Sequence, residues 1–286
     1  AANTTASYNI SIGEDSMDAN TTGAKNVAMG HQALSANTTA SNNTAVGYAS
    51  AAANTTGAGN VSVGESSLTS NTTGDNLVAI GKNALEANTT ADRNTAVGKD
   101  ALKANTTGAE NVAVGSLSLD ASTTGSRNVA VGDNALTAAE TASDNTMVGS
   151  NSGVAITTGA ENVGVGRAAM AATTTGGSNV AVGYLALDAN TTASSNTAVG
   201  REALSANSTG ASNTALGRNA GLSVTTGSNN LLLGFDAGQS GSPGGAISTG
   251  SNEIVLGDEN ITEAHIQVDW TVASDARDKT DVEDLN

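Results

Sequence analysis

The sequence contains no cysteine, one proline, one phenylalanine, one tryptophan and three tyrosines among its 286 residues. The absence of cysteine excludes a disulfide framework and a thiolate metal site. A chain with so few large side chains cannot build a thick globular core, although it can stack thin layers that each bury a few aliphatic residues. No hydrophobic run approaches the roughly 18–20 residues of a membrane-spanning helix, so we expect no membrane insertion.

Basic residues are also scarce, because 11 lysines and arginines stand against 27 aspartates and glutamates, for a net charge of −16. The acidic groups are scattered rather than run together. Such a balance predicts a soluble molecule that does not bind nucleic acid, whose readers need basic faces. The chain starts at Ala1 without methionine or a signal-like segment, which indicates a processed product or an excised piece. No motif calls for a cofactor or a metal ion.

A glycine recurs every 17 residues from position 13 to position 234, with Gly47, Gly64 and Gly98 among its copies. A fifteenth copy, Gly257, follows after 23 residues, and the extra residues form an insertion at about 239–247. A disordered low-complexity tract gives no reason for aliphatic residues to keep this register. The fixed period therefore predicts a solenoid over residues 1–257.

The three residues before each glycine alternate in size. With the glycine as position zero, position −1 is aliphatic, as in Val46 and Val97, position −3 is branched or leucine, and position −2 is small. This alternation predicts a short β-strand. We expect its branched face to point into the coil. We expect its alanine face to point outward as the seam between chains, at Ala28, Ala45, Ala79 and Ala96.

A second apolar position lies four residues after the glycine, where Leu34 and Leu85 stand. It predicts a second short strand that gives the core one leucine per coil. An Asn-Thr-Thr-Gly or Asn-Thr-Thr-Ala segment follows, with Thr39 and Thr107 at position +9. The glycine at position +10 and the asparagine at position −4 suit a tight turn with positive φ or an Asx-type local hydrogen bond. The predicted fold is an all-β parallel β-roll of about fifteen 17-residue coils.

The repeated Asn-(Val/Thr)-Ala-Val-Gly, Ala-Leu and Asn-Thr-Thr-Gly segments cover about residues 8–257. They resemble the head repeats of trimeric autotransporter adhesins and the β-roll shafts of bacteriophage tail fibres. The resemblance implies a left-handed roll in which three chains pack around one axis. The 17-residue period is longer than the usual adhesin-head coil and favours the phage fibre.

By this resemblance the protein is a structural shaft of a virion rather than a turnover enzyme. Its partners would be its own copies in a homotrimer, other tail or fibre proteins, and a host cell-surface receptor or glycan. The alternative is an adhesin head on a bacterial cell surface.

The pattern changes after Gly257. Alternating apolar residues predict a strand within 258–273, and Trp270 is suited to capping the roll. The segment from Val272 to Lys279 resembles the junction at which endosialidase-type intramolecular chaperones begin. By this resemblance, residues 274–286 would be the start of such a chaperone domain, and the domain would continue beyond Asn286. That resemblance implies self-cleavage between Ser274 and Asp275, with Ser274 as nucleophile and Lys279 as its base. The alternative is a solvated acidic tail.

Two other signals have simpler explanations in turn chemistry. The recurrent threonine pairs resemble the ladders of ice-binding solenoids, which makes ice binding a third hypothesis. The Asn-x-Thr sequons match the glycosylation acceptor pattern. Paired carboxylates occur without aromatic-lined surroundings, which argues against a glycosidase.

Overall fold

The computed structural model of the chain describes residues 5–263 and 265. Fifteen strands of three residues each form one parallel sheet, and they stand in the sheet in sequence order. Each strand of the first fourteen pairs with the residues 17 positions away, as Val112 does with Val129, and the last pair joins Leu231 to Ile254. The prediction of an all-β parallel solenoid is confirmed.

The strands are β1 (Ile10–Ile12), β2 (Val27–Met29), β3 (Thr44–Val46), β4 (Val61–Val63), β5 (Val78–Ile80), β6 (Thr95–Val97), β7 (Val112–Val114), β8 (Val129–Val131), β9 (Thr146–Val148), β10 (Val163–Val165), β11 (Val180–Val182), β12 (Thr197–Val199), β13 (Thr214–Leu216), β14 (Leu231–Leu233) and β15 (Ile254–Leu256).

The other long side of each coil is a series of turns, so the prediction of a second strand is wrong. Positions +2 and +4 are left-handed in nearly every coil, as in Asp100 (φ +56°) and Leu102 (φ +50°). Left-handed residues cannot continue an extended strand. The side is still bonded from coil to coil, because the N–H of Asp100 donates to the preceding coil at Lys82 and that of Leu102 donates to the following coil at Ser118, each at 2.9 Å. We call this the turn side.

The left-handed backbone explains which residues occupy position +4. A β-branched side chain is strongly disfavoured in that conformation, whereas leucine, methionine, alanine and glycine are tolerated to different degrees. The fourteen coils that begin at Gly13 to Gly234 place only these four types there, and Leu34, Leu85 and Leu102 are fully buried. Each left-handed leucine costs roughly 1–2 kcal/mol of backbone strain, which burial of a leucine side chain, at roughly 1.5–3 kcal/mol, offsets.

The core is narrow, and a larger side chain at one core position is accompanied by a smaller residue at another. Most coils combine a small residue at −2 with leucine at +4. Where β9 carries Met147 at −2, position +4 is Gly153 and the next −2 residue is Gly164. A Cβ added at Gly164 would lie 2.5 Å from Met147 Sδ. Leu232 likewise lies against Gly238. Positions −2 and +4 therefore share one space inside the coil.

A double-mutant cycle tests this sharing of space. We expect Gly164→Ala alone to destabilise the fold by about 1–3 kcal/mol, because the new methyl group meets the Met147 thioether. In a Met147→Ala background the same change should be neutral or stabilising, since it restores the alanine stack of the other coils. The measurement is the free energy of unfolding of the four proteins by denaturant titration. Additive effects with no change of sign would contradict shared packing at this position.

Buried asparagines at position −4 join successive coils. The N–H of Asn128 donates to Asn111 Oδ1 at 3.0 Å, and Asn128 Oδ1 accepts from the N–H of Asn145 at 3.1 Å. Its Nδ2 donates to the carbonyl of Ala142 at 2.8 Å. Each such side chain thus satisfies backbone groups that the turn would leave buried and unpaired. The ladder is interrupted at Leu77, whose N–H donates to Asn60 Oδ1 at 2.9 Å but whose side chain offers no acceptor to the next coil.

The turn that these asparagines close differs in one detail from the sequence expectation. Its left-handed residue is the one at position −5, such as Arg127 with φ +58°, and the glycine at position +10 in the same turn, Gly125, has no positive φ. That glycine is small for another reason. A Cβ on Gly125 would overlap the carbonyl oxygen of Ala142 in the next coil.

Candidate assembly surface

The outer face of the sheet is a continuous aliphatic strip. Positions −3 and −1 of all fifteen strands carry valine, isoleucine, leucine, methionine or threonine, and none carries a charge. We call these thirty residues the sheet face. In the single chain most of them are half-buried, and several are exposed, among them Ile80 at 39%, Val165 at 37% and Leu216 at 52%. The face extends from one end of the solenoid to the other.

The size of the sheet face is that of a protein interface. Fifteen strands at about 4.8 Å spacing extend about 67 Å, and a three-residue strand is about 10 Å wide, which gives an area of about 700 Å². The largest apolar patch on an ordinary monomer is about 300–600 Å². A stable interface buries about 800 Å² on each partner. A chain that leaves this face in water has a strong reason to associate.

The expectation that the alanine face of each strand points outward is wrong. Ala28, Ala45, Ala79 and Ala96 are fully buried inside their own coils, at 0% exposure, so they cannot form a seam with another chain. The physical reason is the narrow core, in which a leucine at +4 leaves room only for a small residue at −2. The branched residues face outward instead. A seam with another chain would therefore use the sheet face.

The other residues singled out in the sequence take up the following positions. Val46 and Val97, expected in the core, belong to the half-exposed sheet face. The glycines at position zero, Gly47, Gly64 and Gly98, have φ between +136° and +141° and end their strands. Thr39 and Thr107 are exposed at the turn.

The threonine one position earlier is engaged with the fold. Thr106 Oγ1, for example, donates to the carbonyl of Thr123 in the next coil at 3.0 Å. The paired threonines thus divide into one row that bonds the coils together and one row, at position +9, that faces water.

Charged side chains lie along the edges of the coils, beside the sheet face rather than on it. They pair between neighbouring coils, as Lys82 does with Glu65 at 2.9 Å and Arg127 with Asp144 at 2.6 Å. The hydrogen bond from Arg127 lowers the pKa of Asp144 below its ordinary value and raises that of Arg127. Exposed pairs of this kind contribute little to stability. They place charge at the two borders of the aliphatic strip.

Two carboxylates on the turn side have the opposite shift. Burial raises the pKa of Asp120 and of Asp188 above the ordinary value of 3.8, and one oxygen of each is buried without a hydrogen-bond partner. Asp120 therefore stabilises the fold most when protonated. That contribution is full below the unfolded pKa and is lost as pH rises through the folded pKa.

We expect Asp120→Asn to raise the melting temperature at pH 7 and to change it little at pH 3, where wild-type Asp120 is protonated. Asp144→Asn is the matched control, for which we expect the opposite dependence of stability on pH. The pKa of Asp144 is lowered by Arg127, so its contribution is present above the unfolded pKa and lost as pH falls. Thermal unfolding of the three proteins at both pH values checks this. A melting temperature of the Asp120→Asn variant below that of wild type at pH 7 would contradict it.

Several predicted residues lie outside the described part of the chain. These are Trp270, expected as a cap, and Ser274, Asp275 and Lys279, expected at a cleavage junction. Within residues 5–263 and 265, no group of three histidine or acidic side chains is placed to hold a metal ion. The described residues contain no helix that could cross a membrane.

Comparison with known proteins adds no relative to this description. No protein-family model matches the chain, and no curated protein matches it either.

Proposed function

We propose that the protein is the homotrimeric shaft of an extracellular fibre, of the bacteriophage tail-fibre type. The observation that carries the proposal is the sheet face, an uncharged aliphatic strip along the whole described solenoid. A shaft needs chains that run side by side, and a strip along the length of each chain supports that arrangement. The repeat segments that resemble phage fibre shafts and adhesin heads support three chains.

Cyclic symmetry follows from the shape of this surface. The strip is parallel to the axis along which the coils stack, so a rotation axis beside it brings equivalent coils of each chain to the same level. Every coil then meets the same coil of its neighbours, and the assembly closes without leaving a free copy of the strip. The charged edges would lie at the borders of the seam, in contact with water.

The native mass in solution tests the proposal. Three chains of 27.8 kDa give about 83 kDa, which is the value we expect from light scattering or native mass spectrometry. A stable monomer at micromolar concentration would contradict the shaft. It would favour the ice-binding alternative, which needs a single chain with its exposed threonine row at position +9.

The proposed shaft has one alternative with the same architecture, an adhesin head on a bacterial surface. The two differ in the sequence that surrounds the coils in the whole gene. An adhesin requires a signal peptide and a C-terminal membrane β-barrel, whereas the fibre is expected to carry a chaperone domain after Asn286.

We also propose that the fibre processes itself at the junction between Ser274 and Asp275. The support is the resemblance of this segment to chaperone junctions and the presence of Lys279 five residues on, because a lysine can act as the base for a serine hydroxyl when its surroundings favour the neutral amine. The test uses the chain extended through its downstream domain. Ser274→Ala is expected to leave the two parts joined on a denaturing gel, and equal cleavage of wild type and variant would exclude the proposal.

A further inference from the structure

Among the described residues, one coil carries an insertion, and a cavity lies beside it on the turn side. Its 23-residue step separates β14 from β15, and the extra residues rise from the turn after Phe235. A cavity of about 520 Å³ lies between this loop, the turn side of the preceding coil and the residues after Gly257. The volume is within the range of about 300–1,000 Å³ typical of small-molecule sites.

The inserted loop is held by specific hydrogen bonds. The buried Ser242 hydroxyl accepts from the N–H of Gly238 at 2.9 Å and donates to the carbonyl of Asp236 at 3.0 Å. Gln239 reaches across to the preceding coil, where its amide donates to the carbonyl of Asn219 and accepts from the Ser223 hydroxyl. The wall of the cavity is therefore built into the fold, as a pre-formed binding site requires.

The cavity combines one aromatic ring with carboxylates and amides. Phe235, the only phenylalanine of the chain, is 49% exposed, and the guanidinium carbon of Arg218 lies 5.5 Å from the ring centroid. The polar lining includes Asp236, Asp258, Glu259, Gln239 and Asn260. Asn219 also lines it, and its amide Nδ2 donates to Asp236 Oδ1 at 2.7 Å.

We propose that this cavity binds a neutral saccharide. Sugar rings present apolar C–H faces that pack on an aromatic ring, and hydroxyl groups that donate to carboxylate and amide oxygens. Phe235 supplies the ring, and the carboxylates of Asp236 and Asp258 supply acceptors. The three carboxylates of the lining repel anionic sugars, which excludes acidic glycans as ligands.

The site goes beyond the shaft function and does not depend on it. The cavity lies on the turn side and the sheet face on the other long side of the coil, so a saccharide and a neighbouring chain do not compete. A single chain would bind with the same intrinsic affinity as a trimer. The trimer would present three sites and bind a surface densely coated with the saccharide more tightly, through its increased effective concentration.

The test is an immobilised array of oligosaccharides of neutral hexoses and N-acetylhexosamines, with sialylated and uronic-acid oligosaccharides beside them. We expect binding to neutral members alone, unchanged by a chelator. For the best neutral oligosaccharide, calorimetry should show that Phe235→Ala and Asp258→Asn each weaken binding about tenfold or more. Tyr48→Ala, which removes an exposed ring at the same coil position elsewhere, should leave it unchanged.

Native mass and melting temperature of each variant confirm that it is folded. If Phe235→Ala fails to fold, changes at the half-buried Asp258 (Asp258→Asn) and the exposed Glu259 (Glu259→Gln) carry the test. No neutral saccharide bound at millimolar concentration would overturn the proposal. So would preference for acidic glycans, or equal binding by wild type and the cavity variants. A trimer that binds no saccharide would leave the shaft intact and remove the site.

Discussion

Replacing Val114 by aspartate is expected to abolish the proposed trimer, so that the native mass falls from the expected value of about 83 kDa to the 27.8 kDa of one chain. Val114 lies at position −1 of β7, in the middle of the sheet face, and its side chain is half-buried in the single chain. In the trimer three aspartates would meet near the axis without cationic partners. Burying an unpaired charge costs several kcal/mol for each ion, which exceeds what the neighbouring valines can offset.

Thr107→Asp is the matched control for this change. It places the same charge in the turn that leads into the same strand, at a residue that is exposed to solvent. We expect it to remain trimeric with a melting temperature close to that of wild type. A Val114→Asp variant that stays trimeric, or a Thr107→Asp variant that becomes monomeric, would place the seam elsewhere on the coil.

The second large effect is expected at the glycine that ends each strand. Gly115 has φ +133°, a conformation available almost only to glycine, and an added Cβ would overlap the carbonyl group of Gly132 in the next coil. Backbone strain and the enforced shift of a neighbouring coil together predict a loss of about 3–5 kcal/mol for Gly115→Ala. Because the coils stack without interruption, the shift is passed to the coils on either side.

Gly244→Ala separates the two contributions. Gly244 also has positive φ, at +85°, but an added Cβ meets nothing within 4 Å. We expect a loss of only about 1–2 kcal/mol there, from the left-handed backbone alone. Denaturant unfolding of the two variants measures the difference. Equal losses would show that close approach between coils does not explain the repeated glycine.

The sequence was sufficient to predict the solenoid but not to predict which face of each strand points into the core. The 17-residue recurrence of glycine, leucine and asparagine requires stacked coils. The alternation Val-Ala-Val, however, fits either face of a strand equally well, and only the width of the core decides which face is inside. The coupled changes at Met147, Gly153 and Gly164 carried the missing information, since a large residue at −2 accompanies glycine at +4.

The turn side escaped prediction for a related reason. A leucine that recurs with small neighbours favours a strand, and nothing in leucine itself indicates a left-handed backbone. Two patterns did point to it. Position +4 carries no β-branched residue in the fourteen coils that begin at Gly13 to Gly234, and position +2 often carries asparagine or aspartate, as at Asn83 and Asp100. Both patterns are typical of positive φ.

The sequence explains the asparagine at position −4 by turn chemistry, and its role in joining neighbouring coils is visible only in the structure. Its side-chain amide hydrogen-bonds to backbone groups 14 and 17 residues further along the chain, as Asn128 does with the carbonyl of Ala142 and the N–H of Asn145. The cavity beside Phe235 was also beyond reach, because it depends on how the inserted loop folds back over the preceding coil.

Cross-linking of single cysteines tests the seam most directly, because the natural chain contains no cysteine. Val131→Cys places one thiol on the sheet face, and Thr124→Cys places one at the exposed turn of the same coil. With a short bifunctional thiol reagent, the account predicts linked chains on a denaturing gel for Val131→Cys and single chains for Thr124→Cys. Linked chains for Thr124→Cys and none for Val131→Cys would contradict it, because the chains would then meet at the turns.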